Sequence, residues 1–200
     1  MAFTKHMVLI ALGALALSAC SKADSSKQDA PTPKVEASAP APVAQAKQAL
    51  MSHSFPVMNA GGYELGSVTI NDTPTGVDVV LDITSIPAGA HAIHFHQTGA
   101  CDGPDFSSSG GHYNPHAADH GHEVASGPHA GDMKNFEAPQ SGAVKQTIKN
   151  DKVSLSARDN FAPLLDDDGT ALIIHAGPDD YVSQPSGAAG ARIACAVIAK

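Results

Sequence analysis

The chain has no tryptophan, and its other aromatics are sparse, with 6 Phe and 3 Tyr in 200 residues. Against them stand 18 Gly and 14 Pro. A core short of large rings, in a chain so often punctuated, favours short strands and tight turns over long helices. Basic side chains are scarce as well. Lys5 is the only charge in residues 1–20, and four lysines face three acids in 21–50. Residues 51–200 therefore hold 7 of the 12 basic residues and 17 of the 20 acidic ones, a net of −10 with His neutral. Nothing in that stretch forms the basic face that phosphate contact needs, which argues against nucleic acid as a partner. The run Met7–Leu17 is the longest apolar one and falls short of the ~20 residues of a helical membrane span. Cysteine is rare, with 3 in the chain. The length, less a leader, suits one domain with an adequate core.

Histidine, by contrast, is in surplus. Eight of the 11 lie between His91 and Asp132, a density that packing does not explain, because His is only an intermediate core former. His94 and His96 stand at i and i+2. On a strand that spacing places both imidazoles on one face, with Phe95 on the other. After a Gly-rich turn come His112, His120, His129 and Asp132. Three nitrogens and a carboxylate on one long loop suit a closed tetrahedral zinc site. A pair of strand histidines awaiting further imidazoles suits copper.

The chain begins with a short basic start and an apolar run, and residues 17–20 read Leu-Ser-Ala-Cys. This resembles a lipoprotein-type signal peptide, in which cleavage falls before Cys20 and its thiol takes a lipid. Ser21 is not the Asp associated with inner-membrane retention, so the expected location is the periplasmic side of the envelope, anchored in the outer membrane. Residues 21–50, rich in Ala, Pro, Ser, Lys and Gln, cannot bury enough surface to offset ordering entropy and are expected to be a disordered tether. From residue 51 the pattern turns to β. Strands are expected at Ser52–Met58, Tyr63–Ile70 and Gly76–Ile83, with dense turn chemistry from Asn71 to Gly76 making the last two a hairpin. Further strands are expected around His91–His96, Met133–Glu137, Gly142–Ile148, Lys152–Leu155, Thr170–His175 and Ala191–Ile198. The loop 98–132 is too long for a compact domain without a function, and metal coordination supplies one. Asp166-Asp167-Asp168-Gly169 lacks the later ligands of a calcium loop and is expected to be a solvated turn. With Cys20 assigned to lipid, Cys101 and Cys195 remain as an even pair in an oxidising compartment, which suggests a disulfide.

Several separated motifs occur in one order: His-Phe-His at 94–96, Gly-Gly-His-Tyr-Asn-Pro at 110–115, His-Ala-Gly-Asp at 129–132, His-Ala-Gly-Pro-Asp-Asp at 175–180 and Ala-Arg-Ile-Ala-Cys at 191–195. Together they resemble the copper/zinc superoxide dismutase family over roughly residues 52–200, as an exported, lipoprotein-like bacterial member. The resemblance implies an eight-stranded antiparallel Greek-key sandwich or flattened barrel with long metal-binding loops. It implies copper on His94, His96, His112 and His175 and zinc on His112, His120, His129 and Asp132, with His112 bridging the two. It also implies Asp179 as the carboxylate linking a copper His to a zinc His, and His91 as a structural His bonded to backbone near the copper strand. Arg192 would be the arginine that attracts the superoxide anion, and Cys101 would pair with Cys195. The implied reaction is dismutation of superoxide to O2 and H2O2, with copper alternating between two oxidation states. The freed His112 nitrogen would take a proton destined for the peroxide. The competing reading is a copper-delivery or metal-buffering lipoprotein on the same fold. The presence of the bridge and of Arg192 favours the enzyme. His116 and His122 are surplus to both ligand sets. Ala92-Ile93 stands where the family commonly has Gly-Phe, which bears on packing behind the copper strand and not on the ligands. Oligomeric state is not legible in the sequence, and a homodimer is compatible with it.

Overall fold

The computed structural model describes residues 49–158 and 160–200; the expected leader 1–20 with Cys20, and the tether up to residue 48, lie outside them. Eleven short strands and a single 3₁₀ turn make up the regular structure of the described residues. They are β1 (Ser52–Asn59), β2 (Glu64–Thr73), β3 (Gly76–Ile83), β4 (Gly89–His91), β5 (Ile93–His96), β6 (Phe136–Ala138), β7 (Val144–Asn150), β8 (Val153–Ser154), β9 (Ala162–Pro163), β10 (Thr170–His175) and β11 (Arg192–Ile198). Seven form one antiparallel sheet in the order β5-β10-β11-β1-β2-β3-β7. At one edge β4 leads into β5, and at the other β6 leads into β7. The antiparallel β4–β6 pair therefore joins the two edges at one end and curls the sheet toward a flattened barrel.

The expected all-β antiparallel architecture holds, with two differences in detail. The metal-bearing strand is split at Ala92, whose N–H leaves the ladder to donate to the Gly177 carbonyl (2.9 Å). The β8–β9 pair is parallel. The nine expected strands become eleven because the break at Ala92 divides one of them and the two-residue β9, outside every expected strand, pairs with β8.

The pattern dictates which face is buried. In β3, Val77, Val79, Leu81 and Ile83 are buried, while Asp78 and Asp82 point outward to Lys149 and Lys145 of β7 at 2.7 Å each. Exposed pairs of this kind contribute little, so the inward side chains carry the pairing. β10 is buried along its whole length. Leu172 and Ile174 enter the main core, and Ala171 and Ile173 pack on the opposite face with Phe106 and Cys195. Phe95 of β5 lies in the main core, so His94 and His96 project from the other face of the sheet. The histidine site thus sits outside the barrel core, where loops must cover it.

Candidate metal centre

Three backbone contacts seat the covering loops on β5. Tyr113 N–H donates to the Phe95 carbonyl (2.8 Å), Phe95 N–H to Gly131 (2.9 Å), and Gly131 N–H to Tyr113 (2.8 Å). The chain segments bearing His112 and Asp132 are thereby stitched to the strand bearing His94 and His96. Gly131 is needed there, because a Cβ would collide with the Phe95 carbonyl. Cys101 and Cys195 form a disulfide with a Cα–Cα distance of 5.8 Å, fastening the start of the first loop to β11.

Two groups of donors result. The candidate ligand atoms of His94, His96, His112 and His175 lie within 4.8 Å of one another, and so do those of His112, His120, His129 and Asp132; all seven residues are buried. The hydrogen bonds show which nitrogen faces each group. His94 Nδ1, His96 Nε2, His112 Nε2 and His175 Nε2 are buried with no partner. The opposite nitrogens of the first three are engaged: His94 Nε2 with Asp179 (2.9 Å), His96 Nδ1 with the Gly110 carbonyl (3.0 Å), and His112 Nδ1 with Asp132 (2.8 Å). His175 Nδ1 faces the Gly190 carbonyl at 3.2 Å. Four buried, unpaired imidazole nitrogens converging on one point would be costly without an ion. With one, they form the all-nitrogen set that copper favours.

The second group shows the same sign. His120 Nδ1 and His129 Nδ1 stand 3.0 and 3.3 Å from Asp132 carboxylate oxygens, yet neither is aligned as a hydrogen bond. Ligands about 2.0–2.1 Å from a shared tetrahedral centre stand about 3.3 Å apart. That spacing, with three nitrogens and one carboxylate oxygen, fits zinc. His112 belongs to both groups, one ring nitrogen facing each.

Asp179 joins the groups from behind. Its carboxylate reaches His94 Nε2 at 2.9 Å and His120 Nε2 at 3.0 Å, so one residue orients an imidazole of each set, the usual task of an outer partner. The ring nitrogens of His91 lie 2.8 Å from the carbonyls of His175 and Pro87, tying the approach to β5 to the end of β10. Arg192 Nη1 donates to the Phe106 carbonyl (2.6 Å) and Ser109 Oγ (3.0 Å), and Nη2 to the Gly110 carbonyl (2.7 Å). The Gly110 carbonyl therefore receives both Arg192 and His96. Arg192 lines a depression of about 390 Å³ with Pro104, Asp105, Ser107 and Gly190.

The surplus histidines stay apart from both groups. His116 is exposed, and His122 is half-buried against the Tyr181 ring at 5.6 Å. Sequence reasoning missed Asn135, Tyr181 and Gln184, polar loop residues that surround Asp179 and His120. No spacing or motif marks them.

Burial governs the titration of the metal-free site. It lowers His96 from 6.5 to about 2, helped by the neighbouring His112, and His175 to about 3, helped by His94. His112 falls to about 4 by burial, against the opposing pull of Asp132. His120 is likewise penalised by burial, but its contacts with Asp132 and Asp179 outweigh this and raise it to about 9. Burial would raise Asp132 and Asp179, but the contacts of Asp132 with His112, His120 and His129 and of Asp179 with His120 and His94 hold both far below the usual carboxylate range. The first three histidines are thus neutral with lone pairs available, the state a metal requires.

Linkage then sets the pH dependence of the metal-free protein. For His96, His112 and His175 the unfolded chain binds more protons below 6.5, so stability falls as pH drops from 6.5 toward 4. His120 acts oppositely, its contribution being lost as pH rises from 6.5 through about 9. Thermal melts of metal-stripped protein should therefore show a maximum near neutrality. A midpoint unchanged between pH 7 and 4 would contradict this balance.

The comparisons with known proteins agree with the geometry. Residues 64–198 match the family model described as copper/zinc superoxide dismutase. The chain belongs to the copper/zinc superoxide dismutase family. It is 41% identical over 152 residues to superoxide dismutase [Cu-Zn] 1 of Aquifex aeolicus, covering 76% of this chain and 89% of that one. It is 41% identical over 144 residues to superoxide dismutase [Cu-Zn] of Caulobacter vibrioides, covering 71% and 83%. Among solved structures, a superoxide-dismutase-like protein from Bacillus subtilis superposes with a TM-score of 0.69 at 36% identity, covering 74% of this chain and 99% of that one. The copper/zinc superoxide dismutase of Brucella abortus gives 0.62 at 26% identity, with coverage of 74% and 99%. The family's two metals, copper and zinc, match the two donor sets found here.

Proposed function

We propose that the chain dismutates superoxide to O2 and H2O2 with copper held by His94, His96, His112 and His175 and zinc held by His112, His120, His129 and Asp132. The observation that carries this reading is His112, whose two ring nitrogens each face a different buried donor group. Copper, when bound, supplies the one-electron alternation that oxidises one superoxide and reduces the next, whereas zinc, with a filled d shell, supplies none.

The remaining work falls to the chain's own side chains. His112 Nδ1 is held toward Asp132, so Nε2 is the nitrogen that can take up a proton and pass it to the reduced product. Asp179 fixes the ring orientation of His94 and His120, and the Gly110 carbonyl fixes that of His96. Arg192 keeps its charge throughout and is pinned by carbonyls and Ser109. It attracts the small anion to the depression it lines, in a domain whose other charges are mostly repulsive.

The chain acts outside the cytoplasm in this reading. Residues 1–20 serve as a lipoprotein-type signal, Cys20 carries the lipid, and residues 21–50 tether the domain 51–200 to the outer membrane on its periplasmic side. The Leu-Ser-Ala-Cys sequence supports the anchor. A disulfide in so small a domain supports export, since such bonds persist in oxidising compartments.

The test is superoxide decay catalysed by the chain loaded with one copper and one zinc, together with its Arg192→Ala variant. Wild type should turn over near the diffusional ceiling of about 10⁸–10⁹ M⁻¹s⁻¹ and lose activity when copper is removed. Arg192→Ala should be slower by about tenfold or more at low salt, in the range of electrostatic steering, with both metals retained. Full metal loading with negligible turnover would make the chain a copper-handling protein instead. Loss of metal in the arginine variant would remove its assigned role.

A further inference from the structure

The link between Asp179 and His120 is a single 3.0 Å contact between two long loops, and a side-chain amide grips each end of it. Asn135 Nδ2 donates to the Asp179 carbonyl (2.9 Å), and Asn135 Oδ1 accepts the Asp179 N–H (2.9 Å). Gln184 Nε2 donates to the His120 carbonyl (2.8 Å), and Gln184 Oε1 accepts the His120 N–H (2.9 Å). In each case one amide satisfies both main-chain groups of one residue, as a neighbouring strand would. The grips run in opposite directions. Asn135 follows the Asp132 segment and reaches into the loop after β10; Gln184 lies in that loop and reaches back to His120. Gly187 supplies the clearance between them, with φ +71° and no Cβ to strike Asp179 Oδ1 and His120 Nε2.

We propose that Asn135 and Gln184 are positioning residues that set the register of these two loops, so that Asp179 meets His120 and zinc is held tightly. Neither belongs to either donor group. Both act through main-chain atoms of the residues they grip. The alternative partner for those main-chain groups is water, which would satisfy them without fixing where the loops sit. His120 faces Asp132 through Nδ1 while Asp179 holds its Nε2, so a register shift that breaks the Asp179 contact frees the ring to turn and moves its zinc-facing nitrogen. This inference rests on the assignment of zinc to His112, His120, His129 and Asp132.

Zinc affinity of the full chain, measured by competition with a chromophoric chelator, tests it, and the visible spectrum of cobalt(II) bound in place of zinc gives a second readout. Gln184→Leu and Asn135→Leu should each weaken zinc by about tenfold, the low end of what losing an outer partner costs, and should alter the cobalt bands. Ser183→Ala, which loses only a bond to Asp180 within its own loop, should leave both unchanged. In an Asp179→Ala background, where the link is gone, adding Gln184→Leu should cost little further affinity, because residues acting through one link are not additive. An unchanged zinc affinity in Gln184→Leu would overturn the proposal. So would an equal loss with and without Asp179, which would mark a separate structural role. If wild type binds neither zinc nor cobalt at this group, the ligand assignment fails, and this inference with it.

Discussion

His112→Ala is expected to weaken both metals at once and to bring superoxide decay down to the uncatalysed rate. The residue is shared by the two donor groups. Its removal leaves His94, His96 and His175 without the fourth member of their donor group and Asp132 without its 2.8 Å contact. Losing an outer partner alone costs roughly 10–100-fold in metal affinity, so loss of a direct ligand should exceed about 100-fold for each ion. Metal content after dialysis against a chelator, read beside superoxide decay, checks this. His116→Ala and His122→Ala provide the contrast. Both histidines lie outside the donor groups and should retain full loading and activity. Stoichiometric retention of copper and zinc in His112→Ala would dismantle the bridged reading.

Removing the disulfide should produce the largest loss of stability. Cys101 and Cys195 are 94 residues apart, and closing a loop of that length contributes about 4–5 kcal/mol in the chain-entropy model. The Cys101→Ser, Cys195→Ser double variant should therefore melt on the order of 10 °C lower. A functional loss should accompany it for a structural reason. Cys195 lies three residues beyond Arg192, and Cys101 opens the segment whose Phe106 and Gly110 carbonyls and Ser109 hydroxyl hold that guanidinium. Phe106 itself packs on Cys195, Ala171 and Ile173. Without the bond the anchor of Arg192 is free to shift, and kcat/KM should fall toward that of Arg192→Ala while both metals stay bound. A variant with an unchanged melting point would show that the loop is held by packing alone.

The strands that frame the site were legible because each reports its own burial. Val77, Val79, Leu81 and Ile83 alternate with polar residues and point to one core, and the i, i+2 spacing of His94 and His96 puts both on the opposite face from Phe95. The candidate donor set was legible because packing poorly explains so dense a gathering of imidazoles and a carboxylate, and the family motifs name its members in order. The break at Ala92 was not legible. Its N–H is drawn to Gly177, a residue 85 positions away, and nothing in Ala92 itself records that.

The sequence by itself therefore determined the β architecture, the candidate donor residues, the pairing of Cys101 with Cys195 through the family pattern, and the net negative charge. The architecture and the charge follow from local periodicity and residue chemistry, and the donor set and the cysteine pair from motifs that stand in the family's order. Only the tertiary structure decided which two histidines Asp179 joins, His94 and His120, that the Gly110 carbonyl is shared by His96 and Arg192, and that Asn135 and Gln184 grip the two loops. Most of these contacts join residues 44 to 85 positions apart, at least one of each pair in a loop. They obey no period, and they exist because the curled sheet brings the loops to one side of β5.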